Sequence, residues 1–328
     1  MDIHNNNLIL FPKWKSTLEN ESKEALKDKR YGDALQYLNK LSDYDVNSHE
    51  VLTGKLICLM ELGEEEEAEE LCEKLLDERN EHYYEYLHIY STLLFQASKY
   101  AEVIELLDNE LNGQHIPEPI KTQLIQVSDI SKNLNADQKK ELGTRHLSKL
   151  KKAVDDADVS AQWGIIEKLQ SINVLPQTHF MEKMLIDDSI HDIVKAAIID
   201  LFRVQGVNKP VELIKFNQQI TVHPSELSSI SNETSTKQIL ELLEDIEQDN
   251  PSLFELIKEL LYRYMYVRYP IMPIQESIVP ISEALNLLGY YYLQLMELDN
   301  LEKADKNVIH YINEIIASEK EYFSVIKD

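Results

Sequence analysis

Three segments of the chain share one arrangement of apolar and polar positions. RYGDALQYLNKL sets Tyr31, Ala34 and Leu38 at i, i+3 and i+7; EEEEAEELCEKL repeats this with Glu65, Ala68 and Cys72, and KYAEVIELLDNEL with Tyr100, Val103 and Leu107. That spacing is one face of an α-helix. Ala34, Ala68 and Val103 stand 34 and 35 residues apart, so the pattern is a repeat. Upstream of each copy lies a second helical pattern, formed by Leu18, Ser22 and Ala25, by Leu52, Leu56 and Leu59, and by Leu87, Ser91 and Leu94. Each unit is therefore expected to be a pair of helices, A and B. A short turn joins them, carrying Gly63 in the second copy and Ser98 in the third.

Beyond the repeats the helical spacing continues less regularly. After Gly113, the prolines of QHIPEP end the repeat region and open a second one, with helices expected near 120 to 133, 136 to 154 and 158 to 172. A helix over Asp187 to Gln205 gathers Ile190, Val194, Ala197, Ile198, Leu201 and Phe202 on one face, with Asp188 or Ser189 as a cap and Gly206 as its end. PVELIKFNQQITVHP, 210 to 224, changes period: β-branched and aromatic residues flank a polar centre, which predicts a β-hairpin that packs on the 187 to 205 helix. SSISNETSTKQ, 228 to 238, reads as a linker. Asn250-Pro251 starts a helix that Pro270 and Pro273 stop, and helices near 277 to 298 and 301 to 320 complete a C-terminal bundle. The expected fold is mainly α: repeats over 1–117, a second helical region over 118–206, a small β-hairpin within 207–227 and a helical bundle over 238–328.

A period of 34 residues, built from two short helices with a small residue early in helix B, resembles the tetratricopeptide repeat (TPR) over about residues 15 to 117. Helix A carries Leu18, Leu52 and Leu87 where the family has a large aromatic, and the usual proline after helix B is absent at Val46, Asn80 and His115. The whole chain is also similar to TPR-containing cytosolic proteins of Bacillus-type bacteria that join N-terminal repeats to helices and a short hairpin.

The resemblance implies a solenoid whose helix A faces line a concave groove for a peptide or helix of another protein. Carried over unit by unit, the groove positions are Glu19, Lys23, Leu26 and Lys27, then Thr53, Ile57, Met60 and Glu61, then His88, Thr92, Phe95 and Gln96. Its apolar centre is expected around Ile57, Met60 and Phe95. The TPR subset that grips a C-terminal carboxylate needs a lysine and an asparagine in the first helix A, where this chain has Glu19 and Lys23. An amphipathic helix or extended apolar segment is the expected ligand instead.

Charge narrows the partners. The chain has 58 acidic against 33 basic side chains, a formal net charge of -25, which repels phosphate backbones and anionic headgroups. Neither nucleic acid nor a membrane is an expected partner. GEEEEAEELCEKLL concentrates glutamates, but Glu64 to Glu67 fall at the start of a helix B whose stripe is Ala68, Leu71, Cys72 and Leu75, so the run reads as a solvated face. The opening MDIHNNNLILFPKWK has neither a basic leader nor a cleavage site, and no apolar run approaches the roughly 18 residues of a membrane span. With only Cys58 and Cys72, and no CxxC pair, a cytoplasmic location is expected.

Signatures of chemistry are missing. The eight glycines are too dispersed for a phosphate-cradling loop. His82 and His88 are six residues apart, about 120° around a helix, and no HExxH, Cys/His zinc or GxSxG pattern occurs, which leaves only a metal site assembled from distant residues. Cys72 sits at a core position. The basic run KKELGTRHLSKLKK lacks interleaved aromatics and reads as a solvated helix face, and LYRYMYVRYPIMP as a helix buried between others. The expectation is a non-catalytic protein-binding module without cofactors or metal. The alternative is an assembly protein whose groove is filled by its own helices or by a second copy, a homo-oligomer.

Overall fold

The computed structural model describes residues 11–112, 116–172, 178–297 and 303–326. The opening ten residues, Gly113 to His115, and the ends of the two last expected helices lie outside the described residues. The fold is helical with a single two-stranded antiparallel sheet among the described residues. Contacts divide the chain into two compact units, Met1–Gln138 and Lys139–Asp328.

The first unit contains three antiparallel helix pairs: α1 (Pro12–Lys27) with α2 (Tyr31–Asp43), α3 (His49–Leu62) with α4 (Glu65–Asp77), and α5 (Tyr83–Gln96) with α6 (Tyr100–Leu111). The repeat pattern names the buried residues. Ala25, Ala34 and Leu38 pack with Val51 and Cys58 in one cluster, and Leu56, Ala68, Cys72, Leu87, Leu94, Val103 and Leu107 form a second. Truncating a fully buried leucine such as Leu56 to alanine costs about 2–5 kcal/mol in such a core. Gly54 permits the close approach of α3, since a Cβ there would lie 3.1 Å from Leu38 Cδ1. Gly63 ends α3 in the left-handed region at φ 76°, a conformation that favours glycine.

The expected helices near 120 to 133 and 136 to 154 are one helix, α7 (Ile120–Asp155), because neither glycine nor proline interrupts the chain between them. The boundary between the two compact units falls inside α7. Helices α8 (Val159–Leu169), α9 (Thr178–Leu185) and α10 (Asp192–Val204) follow. Helix α10 starts later than expected. Asp187 Oδ1 already accepts from Ser189 in a turn of its own, leaving His191 Nδ1 to accept the Ile193 N–H.

The hairpin forms β1 (Val211–Lys215) and β2 (Gln218–Val222), in register from Val211 opposite Val222 to Lys215 opposite Gln218. Phe216 and Asn217 both take positive φ, as a two-residue hairpin turn requires. Strand β1 buries Val211, Leu213 and Lys215 and packs against α9 and α10.

The segment expected as a linker is ordered. Helix α11 (Thr234–Glu241) begins within it, Ile230, Ser235 and Thr236 are buried, and Thr236 Oγ1 donates to the Ile230 carbonyl. A hydroxyl residue that bonds to nearby main chain, as Thr236 does, can pack, and polarity alone does not signal a linker. Helices α12 (Glu244–Asp249), α13 (Pro251–Arg268), α14 (Ile278–Tyr292) and α15 (Lys306–Val325) complete the second unit. Asn250 caps α13 by accepting the Leu253 N–H. Two tyrosines of α13 are buried with partnered hydroxyls, Tyr264 donating to Glu314 and Tyr266 accepting from Trp163 Nε1 at 2.7 Å, while Tyr262 is exposed.

Candidate functional site

Helices α1, α3 and α5 lie side by side, α3 touching both of the others, so the helix A positions fall on one row. Along it the side chains differ in what they offer. Glu19 is half-buried and pairs with Lys15, while Lys23 is exposed. On α3, Ile57 is 42% exposed and Glu61 is exposed, whereas Thr53 and Met60 are half-buried. On α5, Gln96 is exposed and His88, Thr92 and Phe95 are half-buried.

The expected apolar centre is thus uneven. Met60 and Phe95 pack against the second core cluster, with the Phe95 ring 5.4 Å from that of Tyr100, and much of their surface serves the repeat itself. Ile57 is the large apolar side chain of the three that faces outward. Thr92 Oγ1 donates to the His88 carbonyl within the helix, and burial pushes the His88 pKa down, so its neutral form faces this row near neutral pH.

Glu64 to Glu67 are exposed at the start of α4 and Ala68 and Cys72 are fully buried. Burial pushes the thiol pKa of Cys58 up to about 11 and that of Cys72 to about 12, neighbouring Glu69 and Glu73 adding to the latter. Both remain thiols at neutral pH, and a nucleophilic role would need the thiolate. In the basic run, Lys139, Lys140, Arg145, Lys149, Lys151 and Lys152 are all exposed on α7, and Leu147 and Leu150 are buried beneath them.

One cluster in the first unit was not anticipated. His49, at the start of α3, stacks on His82, the residue before α5, and Glu85 reaches both rings. Two histidines 33 residues apart match no linear motif, but 33 is close to one repeat. The signal lay in the period: residues one repeat apart become neighbours on adjacent units. Beside them lies a cavity of about 490 Å³ lined by polar groups including Asn47, Lys55, Lys74, Glu78 and Glu81. The second unit holds another, of about 440 Å³, between α11 and α13, with Leu240, Leu261, Tyr262 and Arg263 in its wall.

Comparison with known proteins agrees with this geometry. The tetratricopeptide repeat profile matches residues 25–88, which span α2, α3 and α4 with part of α1 and α5. The TPR repeat-containing protein YsoA of Bacillus subtilis (strain 168) is 31% identical over 294 residues, covering 88% of this chain and 87% of the relative. The similarity extends well beyond the repeats into the second unit. Repeats of this kind generally mediate protein–protein interaction. On helix pairs, period and whole-length similarity together, the chain belongs to the tetratricopeptide-repeat proteins.

Proposed function

We propose that the chain is a non-catalytic adaptor that holds an amphipathic helix or extended apolar segment of another protein against α1, α3 and α5. The supporting observation is the outward-facing Ile57 at the middle of the helix A row, flanked by exposed Glu61, Lys23 and Gln96. One apolar anchor within a polar rim is the composition of a protein-binding patch. Glu19, Thr53, Met60, His88, Thr92 and Phe95 complete the wall as half-buried residues that shape it. Glu19 and Lys23 in place of a lysine and an asparagine argue against a carboxylate clamp.

The net charge of -25 disfavours nucleic acid and anionic lipid as ligands. No helix among the described residues is long and apolar enough to cross a membrane. A cytoplasmic site of action accords with two buried free thiols.

Ile57→Asp is the discriminating substitution, because Ile57 is exposed while Met60 and Phe95 also support the core. Affinity capture with the full chain, followed by calorimetry on the purified partner, should show at least a tenfold loss of affinity in Ile57→Asp with an unchanged far-UV circular dichroism spectrum. Unchanged affinity would overturn the groove reading. A stable oligomer by light scattering that Ile57→Asp dissociates would move the same surface to self-assembly.

A further inference from the structure

His49 opens α3 and His82 immediately precedes α5, so equivalent ends of two successive repeats bring the rings together. Their centroids are 3.8 Å apart with 16° between the planes. Glu85, in the first turn of α5, sets Oε2 at 2.9 Å from His49 Nε2 and 3.2 Å from His82 Nδ1. One donor atom from each of the three falls within 4.8 Å of the others. We propose that His49, His82 and Glu85 form a binding site for a zinc-class divalent transition metal that ties the second repeat to the third.

The donor set selects the metal class. Two imidazoles and one carboxylate suit Zn²⁺, Co²⁺ or Ni²⁺, whereas Mg²⁺ and Ca²⁺ prefer all-oxygen shells. Tetrahedral zinc with bonds of roughly 2.0–2.1 Å places neighbouring ligand atoms about 3.3 Å apart. The two separations from Glu85 Oε2, 2.9 and 3.2 Å, are near that edge length. Each ring ligates as the neutral tautomer whose lone pair is on the nitrogen facing the carboxylate and whose proton is on the other nitrogen. The stacked rings must splay to make their lone pairs converge, a rotation about the broad terminal torsion of His82.

Supporting contacts are already in place. His49 Nδ1 lies 3.1 Å from the hydroxyl of the buried Tyr86, so with Nε2 on the metal the Nδ1–H donates to that oxygen and fixes the ring. The His82 main-chain N–H donates to Asn80 Oδ1 at 2.9 Å, which holds the residue ahead of the helix. The N-termini of α3 and α5 disfavour a cation. Against that, Glu85 brings a full negative charge into the shell, and Glu78 and Glu81 line the adjoining cavity. A fourth position is left for water from that cavity, while Glu81 Oε1, 3.8 Å from His82 Nε2, lies beside the ring nitrogen that the metal does not use.

The consequence is a metal cross-link between repeats that otherwise meet through packing and through polar contacts such as Tyr90 to Glu73 and Lys99 to Glu69. Metal binding should stiffen the array and raise its thermal midpoint. The test uses the untagged, metal-stripped full chain titrated with Co²⁺ alone, followed by visible absorption, with Zn²⁺ competition and calorimetry. One Co²⁺ per chain, displaced by Zn²⁺, is expected. His49→Gln and His82→Gln should each weaken binding at least tenfold, and His88→Gln should leave it unchanged.

Saturating Zn²⁺ should raise the midpoint of the first unit by roughly 5 °C in the wild type and not in the variants. Circular dichroism checks each variant's fold, and where a histidine variant misfolds, Glu85→Gln decides, since that side chain is 45% exposed. Absence of one-to-one binding, or undiminished binding in the His49→Gln/His82→Gln double variant, would overturn the proposal. Ile57→Asp should bind metal normally, which separates this site from the groove.

Discussion

Lys215 is a lysine in a position that the alternation of β1 reserves for an apolar side chain. It is 1% exposed, and its ammonium donates to the Tyr269 carbonyl at 2.7 Å. Burial pushes its pKa down to about 7; Arg268 and Lys195 act in the same direction, and Asp192 and Glu321 oppose them. Unfolding returns the group to the ordinary lysine value of about 10.4. Between those two values the unfolded chain binds more protons than the folded one, so stability rises with pH. Below about pH 7 both states carry the proton and the cost of burying the charge is fully present. The limiting slope is about 1.4 kcal/mol per pH unit, and integrating from pH 6 to pH 9 gives about 2.5 kcal/mol.

Lys215→Met removes the titration while keeping an unbranched side chain. Urea unfolding followed by Trp163 fluorescence reports on the second unit, and a Trp14→Phe background removes the signal of the exposed Trp14. Taking the difference between the two proteins at each pH cancels the titrating groups that do not feel Lys215. Half-buried His191 does feel it: burial lowers its pKa first and Lys215 adds to that, so its own rise in stability toward neutrality is smaller in Lys215→Met. The wild type should gain about 2.5 kcal/mol relative to Lys215→Met between pH 6 and pH 9. Parallel curves, within about 0.5 kcal/mol, would mean that Lys215 is hydrated and refute the reasoning.

Three further variants test the packing and the electrostatics. Gly289→Ala should destabilise the second unit by about 1 kcal/mol in urea unfolding, because overpacking outweighs the gain in helix propensity: the new Cβ would lie 2.7 Å from Leu253 Cδ1 and 2.9 Å from Ile257 Cγ1. Tyr266→Phe deletes the acceptor of the Trp163 N–H and should cost about 1–3 kcal/mol with an altered Trp163 emission spectrum. Glu65→Gln with Glu66→Gln should leave affinity for a groove partner unchanged by calorimetry, since both side chains are exposed at the start of α4; a tenfold loss would make the acidic run part of the site.

The first unit was legible because a repeat states its own core several times. Ala34, Ala68 and Val103 occupy one role and each is fully buried, so every copy checks the phase of the others. The second unit has no such redundancy. There the sequence located the hairpin through its change of period and α13 through Asn250-Pro251, but it misread 228 to 238, where Ile230, Ser235 and Thr236 are buried and Thr236 bonds to nearby main chain. It also placed a cap at Asp188 or Ser189, although a turn at Asp187 had already engaged Ser189.

The histidine cluster escaped for a different reason. Motif reading looks for ligands on one helix face, where His82 and His88 diverge, whereas a solenoid joins residues separated by its period. The pairing of His49 with His82 needs both the 34-residue repeat and the docking angle of α3 on α5, and only the repeat is written locally. Tyr86 makes the same point: it is buried in α5, and its hydroxyl reaches the ring of His49 in the preceding repeat. In a repeat protein, residues one period apart become neighbours on adjacent units; the spacing of 33 residues relates His49 to His82, as it does His82 to His115 and His146 to His179, and it is the docking of α3 on α5 that stacks the first pair.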